Sequence, residues 1–325
     1  MKLMQSNHEL VAKDYINRSN TLLPKEGVYF TDFIRQTAFK KSKRMSRGYM
    51  KSYNTIIYHL KNFEEKYLAS IYTNSVNEDF LDDFIIYLQE QQLKNNYIKS
   101  IVGLIKAMAG IAGTYGYAVD PTFSDVQVDE EESFSVYLSM NEITRIYYYK
   151  GLSTKKARIR DLFIVGCLTA MRYSDYSTLI PQNFQGNYIV KITKKTNKKV
   201  VVPIHDYVRE IYERYDGFVS SNLSIQHFNR YIKEICREIG INDSITYSYT
   251  RGGSLVTEVK PKYELISSHT ARRSAATNMY MTGRMKTYEI MSITGHTTEK
   301  SFFRYIKVSR DDISNQLGAD MFFKK

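Results

Sequence analysis

Apolar positions recur with helical spacing over the first third of the chain. Tyr53, Ile56, Ile57, Leu60 and Phe63 fall at i, i+3, i+4, i+7 and i+10, the stripe that one face of a 3.6-residue helix turns toward a core. Phe80, Leu81, Phe84, Ile85 and Leu88 repeat the stripe behind Asn77, a residue suited to cap a helix N-terminus. Ile98, Ile101, Ile105 and Met108 mark a third helix and Val28–Phe39 a fourth. Such stripes can bury one another, so residues 28–118 predict a small helical bundle. From Ala118 to Phe134 the periodicity stops, with Pro121 and the acidic stretch Asp129, Glu130, Glu131 and Glu132 inside it. An exposed linker is expected over 119–137.

The pattern then resumes and changes period. Ser139 and Glu142 have the spacing of a capping box, and the apolar segment from Arg160 to Thr169 predicts a further helix. Tyr188, Val190 and Ile192 alternate with polar positions, Thr196 and Asn197 make a turn, and Val200–Ile204 continues as a β-rich run. This predicts a hairpin with a lysine-studded tip. A second hairpin is expected at Ile245–Thr250 and Leu255–Lys260 around Gly252 and Gly253. An amphipathic helix is marked by Phe228, Ile232 and Ile235, and helices return after Pro261 over 269–282, 286–294 and 298–307. Ile313, Leu317 and Met321 then lie at i, i+4 and i+8, with Phe322 and Phe323 beside them, a stripe suited to docking on a neighbouring subunit. The expected fold is mainly α with small β-hairpins: a tail over 1–27, a helical domain over 28–118, the linker, and a larger α+β domain over 138–325.

Composition sharpens this picture. A chain of 325 residues exceeds what one core usually serves, which favours two domains, and 43% hydrophobic with 25% charged residues excludes disorder. The net charge of +12 draws a polyanion, nucleic acid or an anionic membrane. The longest apolar runs, such as Leu162–Leu168, fall far short of a membrane span, and Met1–Ser19 carries no export signal, so no membrane partner is expected. Cys167 and Cys236 sit in apolar helical patterns, which argues against a disulfide framework or zinc site and points to the cytoplasm. Lys40, Lys41, Lys43, Arg44, Arg47 and Lys51 form a cationic run without an acid, the candidate contact to DNA phosphates.

No phosphate-binding glycine loop, dinucleotide fingerprint or His-Glu-x-x-His motif is present, so neither a metal nor a cofactor is expected. What remains is basic and aromatic. Phosphoryl transfer without a metal needs cationic donors at the non-bridging oxygens, an acid for the leaving oxygen and a nucleophile with its own proton acceptor. His269-Thr270-Ala271-Arg272 places His and Arg on one helix face; a second copy, His227-Phe228-Asn229-Arg230, is read as surface. In order along the chain stand Ala170-Met171-Arg172-Tyr173-Ser174-Asp175, Lys195 on the hairpin, His269 with Arg272, Gly295-His296, and Tyr305.

Together these residues resemble the tyrosine recombinase (phage integrase) family over about residues 28–310. The resemblance implies a helical core-binding domain and a catalytic domain that cut and rejoin DNA through a 3′-phosphotyrosine, without metal or nucleotide. It implies that Arg172 and Arg272 hold the scissile phosphate, Lys195 protonates the leaving 5′-oxygen, His269 accepts the tyrosine proton, His296 donates to a phosphate oxygen and Tyr305 attacks. Asp175, where the family more often has Glu, is expected to orient Arg172 from one turn away. The implied partners are double-stranded DNA and further copies of the chain, monomeric when free and tetrameric on two sites, with accessory DNA-bending proteins in some systems. Integration, excision, inversion and resolution share these residues. The competing readings are a type IB topoisomerase and a catalytically silent DNA-binding regulator; Tyr288 and Tyr280 are the competing nucleophiles.

Overall fold

The computed structural model describes residues 26–220 and 223–307. These divide into two compact units: one contains the described residues up to Ser133 together with Ser248–Thr257, the other Phe134–Tyr247 and the described residues from Glu258 on. The C-terminal stripe at Ile313, Leu317 and Met321 lies outside the described residues, as does nearly all of the N-terminal tail.

The first unit is built on helices α1 (Phe30–Lys41), α2 (Arg47–Tyr67), α3 (Glu78–Glu90) and α4 (Asn95–Thr114). Each expected stripe faces one shared core: Phe30 and Ile34 from α1, Tyr53 and Leu60 from α2, Leu81, Phe84 and Leu88 from α3, and Ile98, Ile105 and Met108 from α4 are all buried. The caps are those the chain offers. The Ser46 and Asn77 side chains accept from the backbone N–H groups of Tyr49 and Phe80, satisfying donors that a helix start leaves open. The segment expected as an exposed linker is held along α4 by hydrogen bonds. Lys106 donates to the carbonyls of Ser124 and Val126, Asn95 to that of Asp129 and Asn96 to that of Glu131, while Val126 is buried in the core.

The second unit contains α5 (Met140–Tyr148), α6 (Thr154–Thr169), α7 (Tyr173–Tyr176), a three-stranded antiparallel sheet β1 (Phe184–Gln185), β2 (Tyr188–Ile192) and β3 (Lys199–Pro203), α8 (Asp206–Arg214), α9 (Ile225–Glu238), α10 (Lys262–Leu265), α11 (Ser268–Met281), α12 (Thr287–Thr294) and α13 (Glu299–Phe303). β4 (Ser244–Arg251) and β5 (Ser254–Pro261) form the second hairpin, which turns through Gly252 and Gly253. The capping box at Ser139 and Glu142 is formed in both directions. Short β1 and helix α8 lack a strong sequence signal: β1 has two residues, and α8 buries only Val208 and Ile211.

One packing decides where the site will be. Helix α6 is buried from Ile159 through Cys167 and again at Thr169, and α11 lies against it. The approach is close because the facing residues are small: a Cβ on Gly166 would stand 2.7 Å from the Tyr176 ring and 3.1 Å from Ala271 Cβ. Such a contact excludes any larger residue there without a shift of the helices. Ala271, Ser274, Ala275 and Ala276 continue the small face of α11. The C-terminal end of α6 is thereby set beside the first turns of α11.

Candidate active site

The chain leaves α6 through Ala170, a fully buried alanine in the left-handed conformation (φ 57°). That conformation costs a Cβ-bearing residue on the order of 1 kcal/mol, and strain of this kind survives where surrounding contacts impose it. Here the Ala170 carbonyl accepts from Arg272 Nη1 at 2.7 Å, so α11 holds the turn. Arg172 follows as the N-cap residue of α7, half-buried, and its guanidinium has no hydrogen-bond or ion-pair partner among the described residues.

Arg272 is 2% exposed. Nη2 donates to the Thr294 carbonyl at 2.5 Å and lies 3.3 Å from His296 Nε2, while its Nε is buried without a partner. Burial first, and then the neighbouring Arg172, bring its affinity for a proton down to a pKa of about 10; it stays charged at neutral pH. His296 is placed by Gly295, which ends α12 in the left-handed region (φ 68°) where glycine pays no steric cost. Its Nδ1 lies 2.8 Å from Thr294 Oγ1. With Arg272 able only to donate, Nε2 accepts and Nδ1 carries the proton, an assignment made from the hydrogen bonds. Desolvation, then Arg272 and Arg172, lower its pKa to about 4, so the ring is neutral in the free protein.

His269 lies in the first turn of α11 with an exposed edge and no hydrogen-bond partner among the described residues. Its pKa is lowered by desolvation and then by the cations Arg273, Arg272, Arg172 and Lys195. Lys195, exposed in the turn between β2 and β3, contributes the last of those charges. The α11 N-terminus is steadied by Asn229, whose side chain accepts from the Ser268 backbone N–H at 2.8 Å. The second His-x-x-Arg copy thus contributes its middle residue as a brace, and its His227 is exposed.

Tyr305 completes the group from the far end of the chain. Its ring centroid is 4.7 Å from that of His296 and 5.4 Å from Arg272 Cζ. The imidazole in contact with the phenol ring is therefore His296; His269 makes no such contact here. The competing tyrosines are elsewhere: Tyr288 is 64% exposed on α12, and Tyr280 packs against Phe302 and Phe303.

Asp175 departs from its expected role of orienting Arg172. It is fully buried, and Oδ1 accepts from the backbone N–H of Lys194 at 2.8 Å, while Oδ2 has no partner. With Arg172 and Asp175 forming no ion pair, the carboxylate instead ties α7 to the turn that carries Lys195. The hairpin is held a second time by Lys191, whose Nζ donates to the Thr178 carbonyl at 2.9 Å. Lys191 was not singled out from sequence, and neither was Arg273. The latter is half-buried beside Arg272, and its Cζ lies 5.9 Å from the Tyr305 ring centroid.

The candidate DNA-contact residues lie in the first unit. Lys40 and Lys41 end α1, Lys43 and Arg44 occupy the turn, Arg47 opens α2 and Lys51 follows one turn later. Lys40, Lys43, Arg44 and Lys51 are exposed, and Lys40 Nζ stands 5.5 Å from the Tyr115 ring centroid. Among the described residues no cluster of three His, Cys, Asp or Glu is arranged for a metal, and no helix is long and apolar enough to cross a membrane. Chemically, the second unit gathers three arginines, a lysine and two histidines around one phenol, with one nearby carboxylate already committed to a backbone N–H. A site so constituted is built for an anion next to an oxygen nucleophile.

Comparison with known proteins agrees along the chain. The phage integrase SAM-like domain matches residues 29–128 and the phage integrase family matches residues 137–311. Among solved structures, the Tn1549 transposon integrase (residues 82–397) in complex with circular intermediate DNA superposes with a TM-score of 0.63 at 13% identity, covering 89% of this chain and 99% of that one. A lambda integrase tetramer bound to a Holliday junction gives 0.63 at 14% identity, covering 91% and 86%. XerH recombinase in a post-cleavage complex with difH DNA gives 0.64 at 12% identity, covering 89% and 84%. No curated protein sequence matches significantly.

Proposed function

The chain belongs to the phage integrase family, and from that premise we propose that it is a site-specific DNA recombinase whose nucleophile is Tyr305. The observation that carries this reading is the Arg272 guanidinium against the Tyr305 ring with its Nε left without a partner, and with the Arg172 guanidinium, close enough to lower its proton affinity, free of any hydrogen-bond or ion-pair partner among the described residues. Buried donors are rarely left unsatisfied in native proteins. A DNA phosphate supplies the missing acceptors.

In this scheme the phosphate docks between Arg172 and Arg272, whose planar donors match its oxygens two at a time. His269, both ring nitrogens free, takes the phenol proton; the Tyr305 oxygen bonds to phosphorus, and the bond to the 5′-oxygen breaks as Lys195 delivers a proton to it. His296 is neutral beside Arg272 in the free protein. The arriving phosphate charge favours its protonation, and it then donates to a phosphate oxygen. The 3′-phosphotyrosine keeps the phosphodiester energy, so the reverse sequence rejoins a strand without ATP. Asp175 serves by holding the Lys195 turn.

The basic run from Lys40 to Lys51 tracks the DNA backbone from the helical unit, and the chain works in the cytoplasm as a monomer that assembles into a homotetramer on two DNA sites. The lambda integrase tetramer on a Holliday junction supports that assembly. The test is to incubate the protein with a pool of randomised nicked duplexes, denature, and recover DNA that stays covalently attached. Wild type yields an adduct mapping to Tyr305 and a preferred duplex sequence. An adduct persisting in Tyr305→Phe moves the nucleophile elsewhere, and no adduct from any duplex rejects the enzymatic reading.

A further inference from the structure

One guanidinium in the site has no part in the scheme above. Arg273 follows Arg272 on α11; its Nε is buried without a partner, and its side chain forms no hydrogen bond or ion pair among the described residues. Desolvation lowers its affinity for a proton while the neighbouring Tyr305 opposes that effect. A half-buried cation with no anion, and with a buried donor left over, is costly, and its retention calls for a compensating contact. Among the described residues the aromatic face recorded against it is that of Tyr305, 5.9 Å from Cζ to the ring centroid. An arginine at that distance from a ring is attracted by the ring's quadrupole, more strongly where water is excluded.

The same helix grips the backbone of the tyrosine. Thr277, one turn beyond Arg273, donates its hydroxyl to the Tyr305 carbonyl at 3.3 Å, and that hydroxyl also lies 3.2 Å from the Lys307 backbone nitrogen. Tyr305 also packs on the small cluster of Ala276, Ile290 and Phe302. The segment bearing Tyr305 has no strand or long helix of its own to hold it: α13 is five residues long and ends at Phe303. Position and direction of the phenol therefore depend on its neighbours: Arg272, Arg273 and Thr277 on α11, and His296 beside the ring. Arg272 is the other cation against this ring, 5.4 Å from Cζ to the centroid, but its Nη1 and Nη2 are already engaged with the Ala170 and Thr294 carbonyls and His296.

We propose that Arg273 is the positioning residue for the nucleophile, a cation whose contact with the Tyr305 ring, together with the Thr277 latch, docks the phenol beside the scissile phosphate. This rests on reading Tyr305 as the nucleophile. The rival role for an unpaired arginine here is a direct DNA phosphate contact, which would act on affinity and not on the docking of the ring.

The test uses the full chain with 3-fluorotyrosine at position 305, read by fluorine NMR without DNA, and in parallel the single-turnover rate of adduct formation at saturating concentrations of the duplex recovered above. In Arg273→Met, which keeps length and loses charge, the fluorine signal moves toward that of an exposed tyrosine and the adduct rate falls on the order of tenfold. DNA affinity stays within about twofold of wild type, because no phosphate contact is lost. Arg273→Lys restores most of both signals, since an ammonium keeps the attraction to the ring. If Arg273→Met fails to fold, the Lys variant and its fluorine signal decide the matter: a signal at the exposed position there overturns the proposal. An unmoved fluorine signal in Arg273→Met, or a loss confined to affinity, also overturns it. Failure of the parent reading looks different, because wild type itself then forms no adduct.

Discussion

Two clusters of charge lie within the second unit and solve opposite problems. Around Asp161, which is fully buried on α6, the carboxylate is paired on both oxygens: Arg160 Nε and Arg214 Nη1 each donate to it at 2.8 Å, and the Tyr215 hydroxyl donates at the same distance. Burial and then the bond to Asp161 push the Tyr215 phenol up to about 12, so it remains a donor at any ordinary pH. Around Tyr305 the cations Arg172, Arg272, Arg273 and Lys195 gather with no anion paired to them, and two guanidinium Nε atoms are left over. A cluster whose cations already hold an anion is a structural brace that a ligand need not enter. An unbalanced one is tolerated because something else will complete it. Counting arginines would not separate the two; the count of their partners does.

That contrast can be broken by experiment, beginning with the largest effect. Lys195→Ala should slow strand cleavage by roughly 10²–10⁴-fold, the usual worth of a positioned acid. A duplex with sulfur in place of the bridging 5′-oxygen should restore the rate, because sulfur leaves without a proton. Rescue appearing in Lys194→Ala instead would shift the acid by one residue.

Asp161→Ala should destabilise the fold by about 3–5 kcal/mol, as expected when one partner of a buried ion pair is removed, seen as a drop in the denaturant midpoint. The contrast with the active site collapses if this substitution is harmless. Arg272→Lys should leave the fold largely intact while cutting the cleavage rate by roughly 10²–10³-fold, since a point charge cannot replace the forked donors. Sulfate should raise the unfolding temperature of wild type through the unbalanced cluster, and less so in Arg272→Lys, while the Asp161 brace offers it nothing.

The smallest effect concerns pH. His296 titrates near 6.5 when unfolded and at about 4 when folded. Between those values the unfolded chain binds more protons, so stability contributed by the neutral ring is complete above about 6.5 and is lost as the pH falls toward 4. His269, also lowered by its surroundings, adds to the same slope. Unfolding midpoints measured across that range should flatten in His296→Gln, and a slope unchanged by the substitution would place the titration elsewhere.

Much of this molecule is legible in one dimension. The four stripes of the helical unit, the capping box at Ser139, both hairpins and the order from Arg172 to Tyr305 depend on local spacing, which the backbone period converts directly into faces. Other features depend on which surfaces meet. The weakly marked α8 carries Arg214 to Asp161, and Asn229 braces the start of α11 from another helix. The i, i+3 spacing predicts Asp175 as a partner for Arg172, because such neighbours share a helix face. Yet α7 is only four residues long, and a backbone N–H of the hairpin turn reaches its carboxylate first.

What the sequence determined by itself was the set of chemical groups and the elements that carry them, because helix stripes, caps and turns are short-range properties. Which of these groups meet is settled by long-range packing. Gly166 lets α6 and α11 close together, Ala170 bends the chain so that Arg172 follows beside Arg272, and the segment from α13 to Lys307 lays Tyr305 across two consecutive arginines. Consecutive residues on a helix differ by about 100° in direction, so whether Arg273 faces solvent or the phenol is set by what packs around the helix, and no local pattern records it.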